Sequence, residues 1–196
     1  PAGFPLDLTM VQTEMDRRRP GGNPLGTPRR EADTIQVLSG LFEGLTTGTP
    51  LTLFLFNTNQ NSADYNNIVD VFRPGHADWT WYRKFSIRDW RGSGRASGRE
   101  TAARVAAGAV SKQILSSMGI DITAGIIRIG DITAQHYDWA GRLSNPLSCP
   151  DTQAANRMAE YIEQLRAEGD STGGIIECHI DGLPAGIGEP VFDKLT

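Results

Sequence analysis

Cysteine is nearly missing from this chain: Cys149 and Cys178 are the only two in 196 residues. Two thiols cannot build the disulfide framework of a small secreted domain, and reduced cytosolic thiols are the simpler reading. There is no run of about 18 apolar residues, so no membrane-spanning helix is expected. The opening PAGFPLDLTM lacks the basic and apolar regions of a signal peptide. A cytoplasmic protein is the expectation. Lysine is scarce, with only Lys84, Lys112 and Lys194. The three histidines, His76, His136 and His179, show no ligand spacing with the cysteines, so no metal is expected. Neither a Walker sequence nor a dinucleotide-binding fingerprint occurs.

What is present is arginine. The net charge is −4, yet residues 1–104 carry 13 basic and 11 acidic side chains against 6 and 12 in residues 105–196. An arginine-dominated basic half suits forked recognition of phosphate and carboxylate. A GC-rich genome also enriches arginine, and it accounts for the overall bias better than for the clustering. With 39% hydrophobic residues the chain can bury a core.

The most informative stretch runs from Phe72 to Ala107, FRPGHADWTWYRKFSIRDWRGSGRASGRETAARVAA. His76 stands after Gly75, with Asp78 two residues on, and can move protons near neutral pH. Arg83, Arg88, Arg91, Arg95, Arg99 and Arg104 follow. A glycine/serine loop, Gly92 to Gly98, runs into a helical pattern, where backbone N–H groups can meet an anion. Together these read as a site for a multiply anionic ligand with proton-transfer chemistry. His136, in a polar stretch, and His179, within a strand, read as surface or packing residues.

Periodicity places the elements. Leu6–Arg19 predicts a short amphipathic helix through Leu8, Val11 and Met15, ended by Pro20-Gly21-Gly22. Thr34–Leu41 and Pro50–Asn57 predict strands. In the second, Leu51, Leu53 and Leu55 alternate with Thr52, Phe54 and Phe56, which predicts cover on both faces. Asn57–Asn67 predicts a loop. Arg99–Met118 is the clearest helix, with a small-residue face at Ala102, Ala103, Ala106 and Ala107, Ser97 or Gly98 as N-cap and Gly119 as terminator. Asp121–Ile132 predicts a strand, Thr152–Glu168 an amphipathic helix and Gly174–Ile180 a strand. Trp79, Trp81, Tyr82 and Phe85 read as packing or subunit contact. The fold class is α+β or a layered β-α-β arrangement. PAGFPLD at the start is echoed by PAGIGEPVFD near the end, with chance as a competing explanation.

Four stretches together resemble one family. RPGHADWT at Arg73–Thr80, RDWRGSGRASGRET at Arg88–Thr101, DRRRPG at Asp16–Gly21 and GLPAGIGEPVFDKL at Gly182–Leu195 follow, in order, the signature of the chorismate synthases. The resemblance implies an α+β fold, a layered β-α-β sandwich of the chorismate synthase type in which the internal echo fits two related halves. It implies that residues 1–196 are a single incomplete domain. Family members carry a preceding segment with a second histidine in a Gly-Glu-Ser-His-Gly motif and a long following part, both expected to lie outside this chain, which would leave residues 1–196 inactive alone.

The same resemblance implies a lyase that converts 5-enolpyruvylshikimate 3-phosphate to chorismate and phosphate by 1,4-elimination. The cofactor is reduced FMN, with NADPH as a candidate reductant and a separate reductase as the alternative. A homotetramer is implied at full length, with neither nucleic acid nor membrane as partner. His76 would be catalytic, beside the flavin. Arg18, Arg73 and Arg99 would bind substrate, and Arg95, Ala96 and Ser97 would contact the flavin. Where many members have a further basic residue after DRRRPG this chain has Asn23-Pro24, which leaves that contact open or hands it to Arg29. Ala96 stands where serine is frequent, which removes a hydroxyl. Two other classes are weighed. RGSGRASGR superficially resembles RNA-contacting arginine/glycine segments, against which stand the net charge of −4 and the alanine helix that follows. A non-catalytic phospholigand-binding domain would keep the arginines without the chemistry.

Overall fold

The computed structural model of the chain describes residues 1–188 except Pro28, Asn59, Gln60 and Ser93, and gives Arg95 by its backbone alone. The chain gathers into two compact units, with the boundary between Ser111 and Lys112.

The first unit contains β1 (Ala2–Pro5), α1 (Leu8–Arg18), β2 (Gln36–Ser39), β3 (Leu41–Phe42), β4 (Leu45–Thr47), β5 (Thr52–Phe54), α2 (Asp78–Phe85) and most of α3 (Glu100–Ser116). α1 begins where the Asp7 carboxylate accepts the N–H groups of Thr9 at 2.7 Å and Met10 at 3.3 Å, satisfying donors that no helical carbonyl reaches. Val11 and Met15, one turn apart, are fully buried. They face the alanine stripe of α3: Leu6, Val11 and Ala109 form one cluster, and Met15, Ala102 and Ala106 another. Side chains this small let two helices approach closely. Leu51, Leu53 and Leu55 pack against the same clusters.

The sheets of this unit are small and antiparallel, β1-β4-β3 and β2-β5. The expected cover on both faces of the second predicted strand is not found. Its leucines pack inward, but Phe54 is 41% and Phe56 58% exposed, each touching the other edge-to-face at 4.7 Å. Only three residues, Thr52–Phe54, hold strand pairing, because the partner β2 is itself short. The predicted loop at Asn57–Asn67 runs into a 3-10 helix, Ser62–Ile68, opened by the Asn61 side chain accepting the Ala63 N–H at 3.2 Å.

The second unit holds β6 (Asp121–Ile129), β7 (Ile132–Thr133), α4 (Thr152–Glu168) and β8 (Gly174–Asp181), with sheet order β7-β6-β8, all antiparallel. The strand expected over Asp121–Ile132 is a hairpin instead. A turn at Gly130-Asp131 folds β7 back on β6, held by Arg128, whose Nε donates to Gly130 O at 2.6 Å and whose Nη2 reaches Asp131 at 3.1 Å. α4 has the bounds the sequence predicts, starts at the Asp151 cap and buries Ala154, Ala155, Met158 and Leu165. No described helix is long and apolar enough to cross a membrane.

Candidate functional site

The site lies in the first unit and is built from three connecting segments. Residues 61–77 lead into α2, residues 86–99 join α2 to α3, and residues 19–35 join α1 to β2. α2 was not foreseen in the sequence. Its first residue, Asp78, is buried, with 5% of its side chain exposed.

Asp78 gathers cations. The Arg73 guanidinium forks onto it, Nε to Oδ2 and Nη2 to Oδ1, both at 2.8 Å, and the Arg73 N–H reaches Oδ2 at 3.2 Å. Arg88 Nη1 stands 3.4 Å from Oδ2, and His76 Nδ1 3.0 Å from Oδ1. The Arg73 hydrogen bond, acting against desolvation, holds the Asp78 carboxyl well below the usual carboxylate range, and Asp78 in turn raises Arg73. Arg88 is the clamp of this corner. With 8% of its side chain exposed, it donates to the carbonyls of Val71 at 2.5 Å, Ile68 at 2.7 Å and Val69 at 2.6 Å. It thereby ties the end of the 3-10 helix to the start of α2.

A second knot joins Arg18 and Arg99. Both pair with Asp33, whose side chain is fully buried: Arg18 Nη1 at 3.2 Å from Oδ2, and Arg99 Nη1 on Oδ1. Arg99 Nη1 is also 2.7 Å from Glu31 Oε2, an ion pair without a hydrogen bond, since that buried oxygen meets no donor along its N–H direction. Arg18 Nη2 donates to Gly98 O at 2.9 Å and Thr101 Oγ1 at 3.0 Å, and Arg99 Nη2 to Phe56 O at 3.0 Å. Arg99 stands just ahead of the α3 N-terminus, an unfavourable place for a cation. The two buried carboxylates offset that cost.

A cleft of about 850 Å³ opens over this knot. Its lining includes Arg18, Arg29, Arg91 and Arg99 against two carboxylates, Glu31 and Asp64, together with Ser97 and Gly98. Four guanidiniums lining a cleft of this size suit an anionic ligand. Arg73 connects it to the His76 corner: its Nη2 donates to Gly92 O at 3.3 Å, and its guanidinium carbon is 5.8 Å from the Tyr65 ring centroid. Gly92 and Tyr65 both line the cleft.

Thus Arg18, Arg99 and Ser97 line one cleft, and His76 and Arg73 share Asp78 beside it. Ser97 Oγ accepts the Arg99 N–H at 3.1 Å in the turn ahead of α3, which begins at Glu100, so Arg99 and not the expected Ser97 or Gly98 directly precedes the helix. Ala96 closes a 3-10 turn, Gly94–Ala96, without lining the cleft. The side chain expected of Arg95 falls outside the described residues, as does the end of the PAGIGEPVFD echo. His136 is exposed, and His179, 2.6 Å from Glu177, abuts the Trp139 ring at 4.5 Å. Sequence reasoning passed over Glu31, Asp33 and Asp78 as counter-ions. The signal available was their position, Glu31 and Asp33 alternating after Arg29-Arg30 and Asp78 two residues past His76.

Comparison with known proteins converges on one family. The family model described as chorismate synthase matches residues 1–196. A chorismate synthase of Chloroflexus aurantiacus is 51% identical over 195 residues, covering 100% of this chain and 54% of its own length. One from Methanococcoides burtonii is 50% identical over 199 residues, with the same coverage of 100% and 54%. Among solved structures, a crystal structure of chorismate synthase superposes with a TM-score of 0.72 at 29% identity, over 96% of this chain and 54% of that one. The chain spans about half the length of the relatives it matches.

Proposed function

This chain belongs to the chorismate synthase family, and from that premise we propose that the full-length protein is a lyase forming chorismate from 5-enolpyruvylshikimate 3-phosphate. Phosphate and one ring proton leave in a 1,4-elimination. The observation that carries the proposal is the arginine cleft joined through Arg73 to buried Asp78 and its half-buried partner His76. A substrate with one phosphate and two carboxylates needs several fixed cations, and a departing phosphate needs charge stabilisation in place before it forms. Arg18 and Arg99 are fixed by Glu31 and Asp33 at the cleft wall. Arg73 is fixed by Asp78.

The residues also fit a flavin mononucleotide. The cleft pairs a glycine/serine turn at the start of α3 with arginines for a phosphate group, and Arg91, Ser97 and Gly98 are the residues we assign to it, with Arg95 and Ala96 beside them. Reduced flavin, when bound, supplies transient electron density to the substrate with no net redox change. His76 is the residue we assign to handle the proton. Arg18, Arg73 and Arg99 bind and orient the substrate, and the buried carboxylates beneath them keep the forks from rotating.

The remaining parts of the proposal rest on the family: NADPH or a separate reductase as electron source, a homotetramer, and no turnover by residues 1–196 alone, which span about half of a relative. Binding tests the site first. Equilibrium titration of the full-length protein with substrate and FMN should show Arg99→Ala weakening substrate binding about 10-fold or more, the loss of one charge-assisted pair. Unchanged affinity in that variant would remove the cleft from the proposal. RNA retention that falls with salt would favour the nucleic-acid reading instead.

A further inference from the structure

The His76 ring has two nitrogens, and only one can meet a reacting group. The other groups around Asp78 are donors, the Arg73 fork and N–H and Arg88 Nη1, and His76 Nδ1 faces the same carboxylate. An ionised carboxylate accepts and never donates. A hydrogen bond at the observed 3.0 Å therefore requires the proton to sit on His76 Nδ1. Asp78 is itself held on three sides, by Arg73, by Arg88 and by its place as the first residue of α2, so it cannot follow the ring if the ring turns. Gly75, at φ +68, carries the chain into this turn in a conformation other residues adopt poorly.

We infer that Asp78 is the positioning residue of the reaction: it fixes His76 as the Nδ1–H tautomer and leaves Nε2 as the atom that gives and takes the proton. The inference rests on the proposed role of His76, and it adds the atom and the group that selects it. A triad carboxylate acts on its histidine in the same way, by orientation and tautomer rather than by taking the proton. The two arginines have a second effect. They balance the Asp78 charge and hold the carboxylate in place under the ring. Arg73 therefore serves both the ligand and the histidine.

The test reads the ring directly. The full-length protein is labelled with 15N-histidine, and His76 is assigned as the signal lost in His76→Gln. At alkaline pH, where imidazole is neutral, the expected spectrum shows His76 with a protonated Nδ1 and an unprotonated Nε2. Asp78→Asn should shift the ring toward the Nε2–H form and lower kcat by about 10²-fold. A neutral Nε2–H ring in the unsubstituted protein overturns the inference, as does an unchanged tautomer in Asp78→Asn. Should that variant not fold, the unsubstituted spectrum still decides. Because the spectrum needs no turnover, a protein that shows the Nδ1–H ring but makes no chorismate overturns the functional reading and not the tautomer.

Discussion

Asp33 shows how a single side chain can matter to both stability and ligand binding. It is fully buried, sits at φ +47 and faces two arginines. Asp33→Ala would leave Arg18 and Arg99 without their shared counter-ion, and the expected cost is about 3 kcal/mol, read by urea denaturation. A loss below about 1 kcal/mol would mean the guanidiniums re-pair with solvent or Glu31. The two thiols give a second residue-level expectation. Cys149 is buried, and burial pushes its thiol up, while Cys178 lies exposed on β8. Iodoacetamide should label Cys178 and spare Cys149 in the native protein, as mass spectrometry would show; equal labelling would contradict the described packing. At this scale the sequence made His76 and the arginines legible, because their residue types announce chemistry. The acids beneath them were not legible. An Asp or Glu reads as solvated surface until the fold brings a guanidinium to it.

Elements depend on their ends. Asp151 opens α4 by accepting the Ala154 N–H at 3.0 Å, and it also accepts Gln135 N–H at 2.9 Å and His136 N–H at 3.1 Å. The Ala154 bond is the first cause, and with the others it lowers the Asp151 carboxyl to about 2. A carboxyl lowered on folding contributes stability above its unfolded value, near 4, and loses it as pH falls toward 2. Asp151→Ala should therefore cost about 2 kcal/mol near neutral pH, and the gap from the parent should narrow as pH falls from about 4 through about 2. A gap independent of pH would assign the effect to packing. Gly40 ends β2 at φ +86, and an added Cβ would lie 2.5 Å from Leu51 Cα. Gly40→Ala should destabilise by about 2 kcal/mol or more, since both backbone strain and contact oppose it. Long elements were readable: α4 and β8 fall within a residue of their predicted bounds, α4 because its amphipathic spacing persists over its length. The break at Gly130-Asp131 and the eight-residue α2 were not, because a hairpin turn interrupts an apolar run without ending it, and aromatic residues at α2 carry no strong helix signal.

For the molecule as a whole, Arg91, Asp64 and Arg29 come from three different connections, and only folding brings them to one cleft. The ordered motifs identified the family, but the pairing of Glu31 and Asp33 with Arg18 and Arg99 is a tertiary fact. We propose that this constellation serves a flavin-assisted elimination. The most direct measurement is an anaerobic assay of the full-length protein with 5-enolpyruvylshikimate 3-phosphate and chemically reduced FMN, following chorismate. The expected result is product that disappears when FMN stays oxidised, with kcat falling about 10²-fold or more in His76→Ala. Folded, flavin-binding protein that yields no chorismate would contradict the account and leave a phospholigand-binding domain in its place.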